Sequence, residues 1–168
     1  MKARYFLLIG CLLIHTTAYG YPKGYKEMTK YEIYDPEEYM EINKIDIPDD
    51  VAESCEKYGA EYGICPELVE GLCWRESRCK SNAKNGNCKG IAQIDVDVHT
   101  DRMKRLKVTN IYDTDQNIHV AFDLLSELYK GNMEKALDAY NGNNMNGKSE
   151  YTKSILKAAH ALELVGGE

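Results

Sequence analysis

The chain has 168 residues, of which 43% are hydrophobic and 29% charged. These proportions indicate one soluble globular domain with a tail and exclude wholesale disorder. Its aromatic residues are mostly tyrosine, with 13 Tyr against 2 Phe and 1 Trp, and tyrosine suits a polar groove as well as a core. The formal net charge of −6 argues against a nucleic-acid-binding protein, because such proteins gain much of their affinity by neutralising phosphates.

Residues 1–20 have the pattern of a secretory signal peptide. Two basic residues precede an apolar run over residues 5–14, and the small residues at 18–20 suit signal peptidase. The run is shorter than the about 20 residues that span a bilayer. We therefore predict a secreted or cell-envelope protein, whose net charge falls to −8 when two lysine or arginine residues leave with the signal. An uncleaved anchor is one alternative, and lipidation of Cys11, in a lipobox-like segment, is another.

Five cysteines remain after removal of the signal, so at least one thiol stays unpaired. An exported protein favours disulfides, whereas a zinc site is disfavoured because no Cys-x-x-Cys pair occurs and His99 is isolated. The sequence predicts a bridge between Cys79 and Cys88, which would close a short polar loop. The cysteines whose pairing stays open are Cys55, Cys65 and Cys73.

Residues 21–48 are acidic and tyrosine-rich, contain three prolines and lack a sustained helical pattern. They are interpreted as a linker or strap. The next segment predicts a helix that begins at Asp49 or Asp50 and ends near Gly63, followed by a helix with Pro66 in its first turn.

The rest of the chain also favours helices. After a polar loop and a short, partly buried segment at 90–94, apolar periodicity predicts helices over roughly 98–106, 116–130, 133–140 and 149–163. Strand signals are nearly absent. The sequence therefore predicts an all-α domain over residues 49–168.

Glu76 interrupts an apolar helical face, one turn beyond the apolar stripe of the helix that begins at Pro66. Burial of an ionised carboxylate is costly. An apolar pocket can instead keep a glutamic acid protonated near neutral pH, as acid-catalysed glycosidic cleavage requires. The other interpretation is a helix-end glutamate paired with Arg75 or Arg78, and position alone does not decide between them.

Three short motifs follow one another along the chain: Glu76-Ser77, then Gly-Ile-Ala-Gln at 90–93, then Ala-Tyr-Asn-Gly at 139–142. In order and separation they resemble the Glu-Ser, Gly-Leu-Met-Gln and Ala-Tyr-Asn motifs of the soluble lytic transglycosylase family. The resemblance covers residues 49–163. It implies a helical, lysozyme-like fold, a bacterial, extracytoplasmic setting and a peptidoglycan glycan strand as substrate.

The resemblance also assigns roles to individual residues. It implies that Glu76 is the sole catalytic acid and base, and that Ser77 hydrogen-bonds near the glutamate and the substrate. It implies that Gln93 contacts the sugar, that the phenol of Tyr140 reaches the catalytic carboxylate, and that Asn141 adds a polar contact. The implied product has a 1,6-anhydro-muramyl end.

Two positions depart from the family pattern. Ala92 replaces a methionine, which removes bulk beside the cleft, and Gly142-Asn143 replaces Ala-Gly after the third motif. Neither change removes a functional group from the chemistry.

A hydrolase is the first alternative. Residues 93–99 also look like goose-type lysozyme, in which Gln-Val-Asp is followed by a nearby histidine. Asp95 would then be the second carboxylate that activates water, with Asp97 a weaker candidate. Both aspartates also suit an ordinary turn or helix N-cap.

A secreted, non-catalytic peptidoglycan-binding scaffold is the second alternative, although retention of Glu76, Gln93 and Tyr140 argues against it. In each case the expected partner is the glycan strand, with no nucleic acid and no membrane span after signal removal. We expect a monomer that uses no cofactor and no metal.

Overall fold

The computed structural model describes residues 21–142 and 147–166. The predicted signal peptide and Cys11 lie outside the described residues, as does Asn143. Within the described ranges no helix is both long and apolar enough to cross a membrane.

Helices account for most of the described chain, and their order follows the predicted pattern. Two short helices come first, and six further helices build the body of the domain. They are α1 (Tyr25–Met28), α2 (Pro36–Asn43), α3 (Asp49–Tyr62), α4 (Pro66–Ser77), α5 (Thr100–Arg105), α6 (Thr114–Leu128), α7 (Met133–Tyr140) and α8 (Glu150–Gly166).

Helix α4 lies at the centre of the core. Its middle residues are buried on all sides, including Leu68, Val69 and Leu72, each fully inaccessible to solvent. It packs on α3 and α8, and Gly71 permits the close approach of α8, since a Cβ there would stand 3.0 Å from the carbonyl oxygen of Ile155. A helix buried all round is held by its neighbours, so its C-terminal end has a fixed position.

A small antiparallel sheet follows α4 and departs from the all-α prediction. Its strands are β1 (Lys84–Asn85), β2 (Cys88–Lys89) and β3 (Ile94–Asp95), in the order β1-β2-β3. Cys88 pairs with Asn85 and Asp95 across the ladder, while Lys89 pairs with Lys84 and Ile94. Strands of two residues are too short for a visible period of two, which is why the sequence showed no strand signal.

The N-terminal segment packs on the domain in the structure. Met28 in α1 is fully buried, and the carboxylate of Glu27 accepts the backbone N–H of Met133 at 3.1 Å. The carbonyl oxygen of Tyr31 lies 2.6 Å from Nδ1 of His160 in α8. The segment therefore satisfies a backbone donor in the first turn of α7 and covers one face of α8.

The predicted bridge between Cys79 and Cys88 is wrong in this structure, where both are free thiols, as are the other three described cysteines. Cys79 follows the end of α4 with φ at 56° and donates its N–H to the carbonyl of Cys73. Its side chain packs against the core, while Cys88 faces Asn85 and Asp95 on the sheet. The two cysteines thus have different surroundings, the core for Cys79 and the sheet for Cys88.

Candidate active site

Glu76 occupies the last turn of α4, and its carboxyl is largely enclosed. The phenol of Tyr151 in α8 donates a hydrogen bond to its Oε1. Burial raises the pKa of Glu76, while the Tyr151 hydrogen bond and the charge of Arg75 oppose the rise without cancelling it. A carboxyl in this state remains partly protonated at pH values where an exposed glutamate is fully ionised, as a general acid requires.

The two arginines beside Glu76 contact aromatic rings. The guanidinium of Arg75 lies 5.6 Å from the ring centre of Tyr151, and that of Arg78 lies 4.2 Å from the ring centre of Trp74. Among the described residues neither arginine forms an ion pair with Glu76. The interpretation of Glu76 as one half of a helix-end ion pair therefore has no support in this structure.

Two tyrosines lie on the Glu76 side of the core, and the sequence analysis had identified only one of them. Tyr140 in α7 donates its hydroxyl hydrogen to the carbonyl oxygen of Ala92 at 2.8 Å, whereas the phenol bonded to Glu76 is that of Tyr151. Burial and the nearby Glu76 carboxyl raise the pKa of both phenols well above their usual value. Tyr151 lies on the apolar stripe of its helix, so periodicity assigned it to the core.

Ser77 connects α4 to the loop that carries the second motif. Its Oγ lies 2.7 Å from the carbonyl oxygen of Ile91 and also contacts the carbonyl of Cys73 in α4. It accepts the backbone N–H of Lys80 at 3.1 Å. Ser77 thus bonds backbone groups that precede Glu76 in the sequence and others that follow it.

The loop at residues 90–93 folds back on itself. Gln93 has φ at 50°, and its side-chain Nε2 donates to the carbonyl of Gly90 at 2.8 Å. Asn117, fully buried in α6, also bonds this loop: its Oδ1 accepts the N–H of Ala92 at 2.8 Å. The sequence analysis did not identify Asn117, because a lone asparagine within an apolar helical pattern carries no distinctive signal.

Asp95 and Asp97 are both engaged near the sheet. Oδ1 of Asp95 accepts the backbone N–H groups of Asp97 and Val98 at 3.0 and 3.1 Å, which is an Asx-type turn. Oδ2 of Asp97 accepts from the side-chain amide of Asn87. These contacts match the turn interpretation of the two aspartates.

The remaining candidates lie at the margins of this region. Asn141 follows α7 and is exposed, with its backbone N–H on the carbonyl of Leu137. His99 precedes α5, and burial together with the charge of Arg102 lowers its pKa. The described residues hold no group of three or more His, Cys, Asp or Glu side chains placed to bind a metal ion.

Comparison with known families places the site in a wider context. A family model described as "Transglycosylase SLT domain" matches residues 53–160, more than half of the chain. The match runs from α3 into α8 and includes Glu76, the loop at 90–93 and Tyr140. No curated protein and no solved structure matches the sequence.

Proposed function

The chain belongs to the SLT transglycosylase domain family, and we propose that it cleaves the β-1,4 bond between N-acetylmuramic acid and N-acetylglucosamine to leave a 1,6-anhydro end. The family has a lysozyme-like fold, consistent with the helical architecture here, and its enzymes act on peptidoglycan, outside the cytoplasm. The bond, the product and the residue roles form the proposal. The observation that carries it is the enclosed Glu76 carboxyl, which accepts a hydrogen bond from Tyr151 and whose pKa is raised by burial.

Glu76 acts first as an acid. It protonates the bridging oxygen, and the bond to the anomeric carbon breaks as an oxocarbenium-like centre develops, assisted by the acetamido oxygen of the substrate. Because Tyr151 donates to Oε1, Oε2 is the oxygen that carries the proton toward the leaving group. The raised pKa supports this role, since proton transfer is efficient when the pKa of the acid approaches the working pH.

Glu76 then acts as a base. The carboxylate removes the proton from the 6-hydroxyl of the same sugar, and that oxygen bonds to the anomeric carbon to close the anhydro ring. An intramolecular hydroxyl has a high effective concentration, so no second carboxylate is needed to position it. Tyr151 stabilises the carboxylate between the two steps, because a hydrogen bond to the charged form favours that form.

The aspartate contacts support ring closure over hydrolysis. A water-activating carboxylate needs an oxygen available to its water, and in inverting hydrolases it lies roughly 6.5–9.5 Å from the acid. Asp95 uses Oδ1 to hold the turn through two backbone N–H groups. The engagement of Oδ1 supports a structural role for Asp95 at the end of β3.

Hydrolysis has one observation in its favour. Both Asp95 and Glu76 raise the pKa of the Cys88 thiol, after the larger contribution of burial, so the two carboxyls act on one side chain of the sheet. Asp95 and Glu76 are thus both near enough to Cys88 to affect its thiol, and a goose-type muramidase is the second candidate function.

Digestion of purified peptidoglycan in ¹⁸O-labelled water separates these functions. Ring closure incorporates no label and gives anhydro ends, whereas hydrolysis places the label at the new anomeric hydroxyl. We expect unlabelled anhydro muropeptides by mass spectrometry, with Asp95→Asn retaining most of the activity. Labelled reducing ends as the main product would assign the hydrolase, and binding to cell walls without cleavage would assign the non-catalytic scaffold.

A further inference from the structure

We propose that Asn117 is a positioning residue for this site: its side-chain amide fixes the backbone at residues 89–92 and, through it, the placement of Tyr140 and Gln93 beside the catalytic helix. The inference rests on the proposed cleavage of glycan strands, but it holds for either product. It concerns a residue that contacts none of the reacting groups and acts only through the loop.

The amide of Asn117 joins three backbone segments. Oδ1 accepts the N–H of Ala92 at 2.8 Å, while Nδ2 donates to the carbonyls of Lys89 at 3.0 Å and Ile111 at 2.8 Å. The side chain is fully buried, so these partners replace water, which cannot reach it. Both donor hydrogens and the acceptor oxygen of the amide are used, which fixes its orientation.

Gly90 makes this approach possible. It is buried and has φ at 77°, a conformation that residues with a Cβ rarely adopt. A Cβ at this position would stand 2.1 Å from Nδ2 of Asn117 and 2.6 Å from the carbonyl oxygen of Ile111. The close approach of the Asn117 amide therefore requires a glycine at this position of the second motif.

The segment held by Asn117 is also bonded to the catalytic side of the molecule. The carbonyl of Ile91 bonds to Ser77, which directly follows Glu76. The carbonyl of Ala92 accepts from Tyr140. The peptide groups on either side of Ala92 thus have partners in α4, α6 and α7, and Asn117 is the partner in α6.

Loss of the amide therefore has a defined consequence. Without Asn117 the N–H of Ala92 loses its acceptor, and the loop gains freedom to shift toward water. A shift of the loop displaces the Ala92 carbonyl, which accepts from Tyr140, and it displaces the backbone of Gln93 with it. The core around α6 keeps its apolar contacts. A misplacement of about 1 Å at an active site can cost about 10²-fold in rate.

The experiment compares Asn117→Ala with Val120→Ala. Val120 is fully buried and lies on the same helix, and its apolar side chain can form no hydrogen bond with the loop. Its truncation therefore reports the cost of a cavity in α6 without loss of a hydrogen bond. Steady-state kinetics on soluble glycan strands are measured at a temperature where both variants are folded. We expect kcat to fall at least about tenfold for Asn117→Ala, as misplaced groups predict, and to stay within about twofold of wild type for Val120→Ala.

Two further readouts keep the test independent of folding and of the product. Amide hydrogen exchange at Ala92 is expected to accelerate in Asn117→Ala and not in Val120→Ala. Asn117→Asp keeps an acceptor for Ala92 but turns an oxygen toward the carbonyls of Lys89 and Ile111, where Asn117 has a donor. Its kcat is therefore expected to fall well below that of wild type, which gives a second variant if the alanine variant does not fold.

Equal kcat in the alanine variants, or unchanged exchange at Ala92 in Asn117→Ala, would overturn the proposal. Where the alanine variant does not fold, a kcat for Asn117→Asp equal to that of wild type would overturn it. If the ¹⁸O label shows that the product is a reducing sugar, these comparisons still apply, because they depend on the rate of cleavage and not on the product.

Discussion

Two carboxyl groups on helices that both pack on α8, Glu76 in α4 and Asp138 in α7, have opposite environments. Asp138 in α7 is buried, and its oxygens accept hydrogen bonds from the N–H of Gly147 and the hydroxyls of Ser149 and Thr152. Burial acts to raise the pKa of Asp138, but these hydrogen bonds outweigh it and lower the pKa below the usual range. Glu76 has one phenol donor, and burial dominates.

The two residues share burial and differ in the donors that surround them. Among the described residues, the number of donors around each carboxyl goes with the direction of its pKa shift. The donors of Asp138 lower its pKa and join α7 to α8. The proposed acid role of Glu76 fits its raised pKa, because burial there outweighs the hydrogen bond from Tyr151.

The largest expected effect comes from Glu76→Gln. The glutamine keeps the size of the side chain but cannot deliver an acidic proton, so turnover of glycan strands should fall at least about 10²-fold.

The thermal stability of Glu76→Gln should change in the opposite direction. Because the folded-state pKa of Glu76 is raised, its stability contribution is lost as pH rises through that pKa, so the variant should unfold at a higher temperature than wild type near pH 7.

Thermal melts at pH 4 and pH 7 check the stability part of this prediction. The difference between variant and wild type should shrink toward pH 4, where the carboxyl is protonated in both states. A Glu76→Gln variant with near-normal turnover, or one that is less stable at pH 7, would contradict the contrast with Asp138.

Asp138→Asn should have the second largest effect, on stability. Neutralising a buried, multiply bonded carboxylate weakens charge-assisted hydrogen bonds, at a cost of about 1.5–3 kcal/mol at pH 7. Since the folded-state pKa of Asp138 is lowered, its contribution is present above the ordinary carboxyl pKa and is lost as pH falls through the folded-state value. Urea unfolding at pH 7 and at pH 3 should therefore show that the variant has a lower free energy of unfolding than wild type, by an amount that is smaller at pH 3. A difference that grew on acidification would contradict the lowered pKa of Asp138.

Tyr151→Phe should give the smallest effect and the most informative one. The variant removes the phenol bonded to Glu76 while keeping the ring that contacts Arg75. Because that hydrogen bond lowers the pKa of Glu76, the alkaline limb of the pH–rate profile should move to higher pH, with kcat reduced by less than about tenfold, below the usual range for losing a general acid.

Tyr140→Phe serves as the matched control, since its phenol bonds to a backbone carbonyl. Its alkaline limb should stay close to that of wild type. A limb that moved in Tyr140→Phe and stayed fixed in Tyr151→Phe would reverse the assignment of the two phenols.

The sequence predicted the larger helices well, because each combines apolar periodicity with a clear boundary residue. Pro66 begins α4, and Gly63 follows the end of α3 in a left-handed conformation, as expected of a C-cap. The helices α1 and α2 were not predicted, since they are short and take their stability from contacts with α8 and α3–α4 residues. The strands of the sheet were likewise too short to leave a pattern.

The site was only partly readable from the sequence. Glu76 was identifiable because a charge on an apolar stripe is unusual, and its motif follows directly. Tyr151 and Asn117 were not identifiable, because a tyrosine on an apolar face and a buried asparagine have ordinary structural uses. The structure shows that Tyr151 bonds Glu76 and that Asn117 bonds Ala92. Cys79 has a left-handed backbone conformation, which no rule of sequence spacing anticipates.

The contacts of the N-terminal segment also determine when the chain can finish folding. Glu27 and Tyr31 are separated by 106 and 129 residues from their partners Met133 and His160. A ribosome delivers this segment before α7 and α8, so its partners do not yet exist when it is made. Contacts of such long range slow folding, and the segment is therefore made well before it can dock.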